Sequence, residues 1–187
     1  MRAAILLGAD TGDAAATFAA ARRMIEERAG RIEAASEVLT SRAWGFESAT
    51  VFYNQALCVA TELGPVELLD VLQGVERDCG RDREAEALEK ARTGQRYASR
   101  RLDADILFCE ESGDVEGESD GTGGGRGVIV DTERLRVPHP LVARRAFALR
   151  PLAQIAPALR HPLTGRTVAG MLADIENEER LQNETDS

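Results

Sequence analysis

The chain has 187 residues, of which 43% are hydrophobic, and this length and composition fit one domain with an ordinary core. Its net charge of -9 argues against nonspecific nucleic-acid binding, which needs a basic surface. No apolar run approaches the length of a membrane span, and the start of the chain turns polar too early for a signal peptide. The three cysteines include no Cys-x-x-Cys pair, so they suggest neither a disulfide framework nor a zinc site. We therefore expect a cytoplasmic protein that binds neither nucleic acid nor a membrane.

Apolar spacing, capping residues and breaks at glycine or proline predict alternating strands and helices. The predicted elements, in chain order, are a strand at 3–7, a helix at 13–28, strands at 32–41 and 50–61, a helix from Pro65 to near Gly80, strands at 102–108 and 128–130, and short helical pieces at 140–147 and 151–155. The order βαββαβ, with a strand and helices appended, predicts an α+β sandwich.

Three polar stretches are predicted to lie outside the core. Residues 84–99 form a long polar connection and are predicted to be a mobile loop. Residues 110–127 are acidic and rich in glycine, and they have too few apolar side chains to offset the entropy of ordering. The charged tail after about residue 175 is expected to fray. We therefore expect a single domain over 1–187 that carries two flexible loops and a polar tail.

A pair of carboxylates, Asp103 and Asp105, lies in a run that otherwise reads as a buried strand. Residues two apart share one face of a strand, and their side chains start about 6 to 7 Å apart. Hard divalent cations such as Mg²⁺ prefer carboxylate oxygens, and Arg100, just upstream, could bind a phosphate that the same ions hold. This combination suggests phosphoryl transfer. A solvated strand face or a turn remains the alternative for an isolated Asp-x-Asp.

Positive charge is concentrated in two arginine-rich segments, from Arg77 to Arg101 and from Arg134 to Arg150. In an acidic protein, such groups suggest a small polyanionic ligand. The alternative is a solvated surface on which arginines pair with neighbouring acids, such as Glu84 and Glu86 in the first segment.

Aromatic residues are scarce, and several of them, including Trp44, Phe52 and Tyr53, fall close together just before Asn54. An aromatic pair beside an amide could stack on a flat heterocycle while the amide reads its donor and acceptor edge. Ordinary core packing is the alternative, because aromatic side chains on a strand usually fill the interior.

Several separated motifs together make the chain resemble the 6-hydroxymethyl-7,8-dihydropterin pyrophosphokinases of folate biosynthesis. The motifs are Leu7-Gly8-Ala9-Asp10, Phe52-Tyr53-Asn54, Glu76-x-x-x-Gly80-Arg81, Arg100-x-Leu102-Asp103-x-Asp105, Val137-Pro138-His139-Pro140, Arg145-x-Phe147 and Pro151-Leu152-x-x-Ile155. The resemblance implies a ferredoxin-like fold. It also implies Mg²⁺-dependent transfer of diphosphate from ATP to the pterin alcohol, giving AMP and the pterin diphosphate. ATP and the pterin are the implied small-molecule substrates, and protein partners cannot be inferred.

The resemblance also implies roles for individual residues. Asp103 and Asp105 would hold two Mg²⁺ ions, and Arg81 and Arg100 would act with them as catalytic residues. The implied pterin-binding residues are Gly8, Ser41, Trp44, Phe52, Asn54 and Phe147. The implied nucleotide-binding residues are Glu76, Arg81, Arg83, Arg100, Ile106, Arg134, Arg136, His139 and Arg145.

The chain departs from the family pattern at several points. Gly8-Ala9-Asp10 stands where Gly-Ser-Asn is usual, and Tyr97 stands where a tryptophan is often found. The connection around 84–95 is longer than usual, so closure over the substrates could differ. Two other interpretations stay open from the sequence: a noncatalytic nucleotide- or pterin-binding module of the same fold, and an acylphosphatase-like or metal-binding ferredoxin-fold protein.

Overall fold

The structure is a computed structural model that describes residues 1–41, 51–94, 99–111 and 125–185. Its strands are β1 (Arg2–Ala9), β2 (Arg31–Ala35), β3 (Leu39–Ser41), β4 (Phe52–Ala60), β5 (Asp103–Glu111), β6 (Arg126–Gly127), β7 (Val130–Asp131) and β8 (Arg136–Val137). Its helices are α1 (Ala14–Arg28), α2 (Pro65–Asp78), α3 (Arg83–Thr93), α4 (Ala146–Ile155) and α5 (Val168–Thr185), with a 3₁₀ turn at Val142–Arg144.

The main sheet is antiparallel and has the strand order β2-β4-β1-β5-β6, with β3 paired to β4 beside β2. With α1 following β1 and α2 following β4, this order is that of a ferredoxin-like sandwich. The predicted α+β, ferredoxin-like fold is therefore confirmed. The strands β7 and β8 form a separate small hairpin.

One face of the sheet packs on α1 and α2. Alternate residues of β1, such as Ile5 and Leu7, are fully buried there against Phe18 of α1 and Leu68 of α2. The apolar spacing of both helices creates this face, and Asp13 caps α1 by accepting a hydrogen bond from the Ala16 backbone N–H at 3.0 Å. We call this the α1–α2 face.

The opposite face of the sheet packs on α4 and α5. Here Leu6 of β1 and Ala56 of β4 meet Leu149 and Leu152 of α4 and Met171 of α5. We call this the α4 face. Since side chains alternate along a strand, Gly8, Asn54, Asp103 and Asp105 belong to this face as well.

The structure corrects the prediction of an irregular loop at 84–99, because Arg83–Thr93 is an α-helix. The reason lies in composition: alanine, glutamate, leucine, lysine and arginine all favour helix, although they leave no apolar stripe. Helix α5 likewise continues through the predicted polar tail to Thr185. The mobility of these segments stays a prediction.

Other boundaries also differ from those predicted. The strand expected at 32–41 is divided into β2 and β3, and the helical piece expected at 151–155 is the second half of α4. The ends of the predicted 110–127 loop pair with each other, because Glu110 and Glu111 of β5 face β6. No continuous strand covers 128–130. Among the described helices, none is both long and apolar enough to cross a membrane.

Candidate active site

A cleft of about 380 Å³ opens around the start of β5. It is lined by residues of α2, the α2–α3 connection, the start of α3, the segment before β5, β5 itself and the segment that leads into α4: Leu69, Gln73, Glu76, Arg81, Arg83, Arg100, Asp103, Ala104, Asp105, His139 and Arg145. Eight of these residues were predicted site residues. The fold therefore gathers into one cavity predicted residues that are up to 69 positions apart in the chain, from Glu76 to Arg145.

Asp103 is held by two arginines. Nη1 of Arg81 donates a hydrogen bond to its Oδ1 at 2.6 Å, and Nη1 of Arg100 donates to its Oδ2 at 2.8 Å. Burial alone would raise the pKa of Asp103, but the charges of Arg100 and Arg81 outweigh it and hold that pKa below its usual value. Asp103 is therefore an ionised carboxylate.

Asp105 is in the opposite electrostatic situation. Burial and the negative charge of Asp103 raise the pKa of Asp105 to about 7, although Arg145 acts to lower it. Two carboxylates that repel each other at one site favour a cation between them. Within the described residues, no group of three or more His, Cys, Asp or Glu side chains is arranged to hold a metal ion. The pair nevertheless suits Mg²⁺, which is usually bound by one or two carboxylates together with substrate phosphates.

The raised pKa of Asp105 predicts a stability effect in the metal-free protein. In the unfolded chain this group loses its proton near pH 3.9, but in the folded protein only at about pH 7. The folded state therefore loses stability as pH rises through this window, and the cost is complete above pH 7. We expect Asp105→Asn to be more stable than the wild type at pH 8 by about 1–3 kcal/mol, with no gain near pH 4.

Urea unfolding in EDTA at several pH values measures this difference. Asp174→Asn makes the same charge change on α5, where Asp174 forms an exposed ion pair with Arg166 that is worth little in water, and controls for the change in net charge. A gain that does not depend on pH would contradict the assignment of the raised pKa to Asp105.

Glu76 organises the inner wall of the cleft. It lies on the buried stripe of α2 and is only 2% exposed, which is unusual for a carboxylate. Its oxygens accept hydrogen bonds from Arg81 at 2.6 Å, from Arg83 at 2.6 Å and from the backbone N–H of Ala104 at 2.9 Å. One buried carboxylate therefore fixes two arginines and the edge of β5 next to the aspartate pair.

Arg100 is fixed through its backbone as well as its side chain. Its N–H donates to Oδ1 of Asp10 at 2.6 Å, and the Asp10 N–H donates back to the Arg100 carbonyl at 3.2 Å. These two bonds tie the segment that leads into β5 to the residue after β1. From sequence, Asp10 was only a departure from the family pattern, and its link to Arg100 could not have been predicted from positions 90 apart.

His139 and Arg145 form the far wall of the cleft. Burial and the charge of Arg145 lower the pKa of His139 to about 4, so its ring is neutral at physiological pH. Nδ1 accepts a hydrogen bond from the Leu141 N–H at 3.1 Å, so the ring proton is on Nε2. Nε2 lies 3.4 Å from Nη1 of Arg145. Two N–H donors side by side suit an anionic acceptor such as a phosphate.

A row of three residues connects this cleft to the neighbouring strands. Gly8 of β1 pairs with Asn54 of β4 on one side and with Asp103 of β5 on the other. A Cβ atom at Gly8 would lie 3.8 Å from Oδ1 of Asn54 and 3.9 Å from Cβ of Asp103. Any larger side chain at this position would enter the space between the amide and the carboxylate. Asn54 is fixed by donating from Nδ2 to Oγ of Ser41 at 3.0 Å.

Two phenylalanines are half-buried on the same side of the sheet as this row. Phe147 is the second residue of α4 and packs against the apolar cluster of the α4 face, with the guanidinium of Arg145 at 5.5 Å from its ring centre. Phe52 precedes Asn54 by two residues and therefore shares its face. Tyr53 instead packs on the α1–α2 face, so Phe52 and Tyr53 cannot stack on one ligand.

Some predicted site residues lie elsewhere. The side chain of Ile106 is 3% exposed in the core of the α1–α2 face, so only its backbone is available to a nucleotide. Arg134 pairs with Asp70 on α2, and Arg136 pairs with Asp131 at 3.0 Å; neither arginine lines the cleft. Trp44 lies outside the described residues, as do Tyr97 and the 112–124 part of the acidic loop.

Glu86 contacts the site, although the sequence analysis did not identify it as a site residue. It is 9% exposed on α3, and its carboxylate accepts hydrogen bonds from Arg81. The sequence suggested only that acids of this segment pair with neighbouring arginines. The signal that could have singled it out is its position five residues after Arg81, within a stretch of strong helix formers.

A ferredoxin-like sandwich with paired aspartates beside converging arginines has the site of a phosphoryl-group transferase. Comparison with known proteins makes the class specific. Residues 4–157 match the family of 7,8-dihydro-6-hydroxymethylpterin-pyrophosphokinase, and the chain therefore belongs to that family. The resemblance inferred from the motifs is confirmed, and so is the prediction of an ATP-dependent diphosphotransferase enzyme.

Individual relatives agree with this assignment. The chain is 31% identical to the 2-amino-4-hydroxy-6-hydroxymethyldihydropteridine pyrophosphokinase of Porphyromonas gingivalis, over 83% of this chain and 90% of the relative. It is 35% identical to the protein of the same name from Methylorubrum extorquens, over 94% of both chains.

Among solved structures, the Plasmodium falciparum HPPK-DHPS wild type with pteroate has a TM-score of 0.66 and 13% identity, which is a likeness of fold alone. The matched region covers 98% of this chain but only 46% of the longer Plasmodium falciparum chain.

Proposed function

We propose that this protein transfers diphosphate from ATP to 6-hydroxymethyl-7,8-dihydropterin at the cleft around the start of β5, releasing AMP and the pterin diphosphate. The observation that carries the proposal is the meeting of Asp103 and Asp105 with Arg81, Arg100 and Arg145 in one cavity. Phosphoryl transfer needs positioning and charge neutralisation more than covalent chemistry, and this cavity offers both.

Asp103 and Asp105 are the residues that would hold Mg²⁺, as two ions shared with the ATP phosphates. When bound, the ions would neutralise charge on the phosphate oxygens. The ionised carboxylate of Asp103 is available at physiological pH without further change. Asp105 needs a nearby positive charge to become fully ionised, because its pKa of about 7 allows partial protonation at neutral pH.

The positively charged and hydrogen-bond-donating walls of the cleft would bind the phosphates of the nucleotide. Arg81 and Arg100 lie beside the aspartates and are positioned for the phosphates that react. Nε2–H of His139 and the guanidinium of Arg145 face the cavity from the opposite wall. Arg83, bound to Glu76 at the rim, extends the positive surface. In the reaction, the hydroxymethyl oxygen gives up its proton to water and forms a bond to the β-phosphorus, while the bond from that phosphorus to the AMP oxygen breaks and AMP leaves with both electrons of that bond.

The pterin would lie over the Gly8 row. Asn54, fixed by Ser41, offers a donor and an acceptor to the edge of the ring. Phe147 and Phe52 offer flat faces on the same side of the sheet. Because Gly8 has no side chain, a pterin bound at Asn54 can extend its alcohol toward a phosphate that lies near Asp103.

The direct test is an assay of AMP release with the pterin alcohol and ATP. We expect AMP to form only when the pterin alcohol and Mg²⁺ are both present, in equal amount to the pterin diphosphate. AMP formation that does not depend on the pterin would indicate an ATP hydrolase instead. Substrate binding without any AMP would favour a noncatalytic binding module.

We further expect α3 to act as part of a lid over the nucleotide. Its N-terminal end is next to Arg81, and its Glu86 contacts both Arg81 and Arg100. Hydrogen exchange of the 83–94 segment should therefore slow when a nonhydrolysable ATP analogue and the pterin are bound together. The acidic 112–124 segment has Val115 as its one apolar side chain and should exchange equally in both states. Protection of 112–124 without a change in 83–94 would make the acidic segment the lid.

A further inference from the structure

The hydrogen-bonding capacity of the Arg81 guanidinium is largely used by three carboxylates. Nη1 donates to Oε1 of Glu76 and to Oδ1 of Asp103, each at 2.6 Å. The other edge of the group, Nε and Nη2, donates to the two oxygens of Glu86 at 2.9 and 3.4 Å. Glu86 therefore takes the two-pronged edge, which is the edge that a phosphate group would also bind.

Glu86 reaches the second arginine of the cleft at the same time. Its Oε2 lies 3.5 Å from Nε of Arg100. A single carboxylate thus bridges the two arginines that are proposed to engage the reacting phosphates. Its side chain is 11% exposed and that of Arg81 is 7% exposed, so water screens this pairing only weakly.

Of the three carboxylates on Arg81, Glu86 is the one that can leave. Glu76 is also bound by Arg83 and by the Ala104 backbone, and Asp103 belongs to a central strand of the sheet. Glu86 is carried by α3, where it is the one buried side chain among those described. Leu88, on the same helix, is 72% exposed, so little apolar packing opposes movement of α3.

We propose that Glu86 occupies the phosphate-binding edge of Arg81 in the nucleotide-free protein and is exchanged for a phosphate group of ATP. This inference rests on the proposed function, since it assumes that Arg81 and Arg100 bind nucleotide phosphates. The cleft charges agree with it, because four carboxylates face four arginines: Glu76, Glu86, Asp103 and Asp105 against Arg81, Arg83, Arg100 and Arg145. When Glu86 leaves, the arginine charge becomes available to the nucleotide.

Two consequences follow for binding. Glu86 competes with ATP for Arg81. The apparent affinity of the protein for ATP is therefore lower, because only molecules in which Glu86 has left can bind the phosphate there. The exchange also couples α3 to the nucleotide, because the helix loses its buried contact when a phosphate takes the place of the carboxylate. Glu86 is thus a residue that sets nucleotide affinity, rather than one that takes part in the chemical step.

The test is Glu86→Gln, with binding of Mg²⁺ and α,β-methylene-ATP measured by calorimetry, since that analogue cannot break the bond that releases AMP. We expect the analogue to bind about tenfold more tightly than to the wild type. The KM for ATP should fall similarly, while kcat changes by less than about threefold. Damage to the fold would not tighten binding, so this readout separates competition from a structural role. Unchanged or weaker binding would overturn the inference.

Two further variants complete the design. Glu84→Gln makes the same charge change at an exposed position of the same helix and should leave affinity unchanged. A tightening as large as that of Glu86→Gln would mean that general charge, not occupation of Arg81, is responsible, and would overturn the inference.

Arg81→Lys keeps the charge but removes the two-pronged edge, so it should weaken analogue binding. If it does so while Glu86→Gln has no effect, the exchange fails but the proposed function stands. If Arg81→Lys and Arg81→Ala both bind the analogue as tightly as the wild type, the phosphate placement itself fails, and the exchange fails with it.

Discussion

Replacing Asp105 with asparagine or alanine should remove most of the diphosphate-transfer activity and leave the fold intact. The side chain lies on a polar part of the sheet face, so its loss opens no core cavity, but it takes away half of the carboxylate pair that would hold Mg²⁺. Charge stabilisation by a bound metal is worth several kcal/mol in a transition state, and each 1.4 kcal/mol is tenfold in rate. We expect kcat to fall by at least about a hundredfold.

Replacing Asp103 with alanine should reduce activity as much or more, but this variant would lose the metal ligand and the anchor of two arginines together. Its carboxylate anchors Arg81 and Arg100, so Asp103→Ala also releases both arginines. Asp105→Asn is therefore the cleaner test of metal binding, and Asp174→Asn is the matched charge control. Steady-state AMP release over a range of Mg²⁺ concentrations, with thermal unfolding as a check on folding, measures both effects. Near-normal activity of either aspartate variant would reject the assignment of the metal pair.

Phe147→Ala should weaken pterin binding much more than ATP binding. The residue offers a flat face on the side of the sheet where Asn54 lies, whereas the arginines of the cleft keep their contacts when the ring is lost. Stacking of a heterocycle on an aromatic side chain is worth about 1–3 kcal/mol, so we expect pterin affinity to fall about tenfold to a hundredfold. The affinity for an ATP analogue should change by less than about threefold. Calorimetry with each ligand measures the two values.

Because Phe147 also packs against the apolar cluster of the α4 face, its truncation lowers stability as well. Phe147→Leu is the matched control: it keeps most of the apolar packing and removes the flat face. It should therefore bind the pterin almost as weakly as Phe147→Ala while unfolding closer to the wild type. Equal losses for pterin and ATP would point instead to general damage of α4.

The parts of the fold that the sequence predicted well are those where local pattern and burial agree. The β1 run is apolar throughout because both of its faces are covered, and α1 carries a capping aspartate and regular apolar spacing. Helix α3 was missed because its residues are charged on every side, so periodicity gives no signal even though each residue favours helix. The two-residue strands β7 and β8 are too short to form a pattern.

The candidate site divides in the same way. Asp103 and Asp105 could be placed on one face from their spacing alone, because strand geometry fixes that relation. The bonds of Glu76, Asp10 and Glu86 could not be predicted, because each joins elements whose relative position is set by packing. The resemblance to a family pointed to Glu76 and to the motif that contains Asp10, but it named neither Glu86 nor any of these contacts.

The row formed by Asn54, Gly8 and Asp103 sets a fixed length in the proposed reaction. Adjacent strands are about 4.8 Å apart, so the backbone positions that carry Asn54 and Asp103 are separated by about 9.6 Å, or two strand spacings. Backbone hydrogen bonds of a sheet maintain this distance, and no loop movement changes it. An acceptor alcohol with an arm one carbon longer or shorter would misplace its oxygen by roughly 1 Å, an error that can cost about a hundredfold in rate. The spacing between strands would thus make the enzyme selective for acceptor alcohols whose arm has the right length.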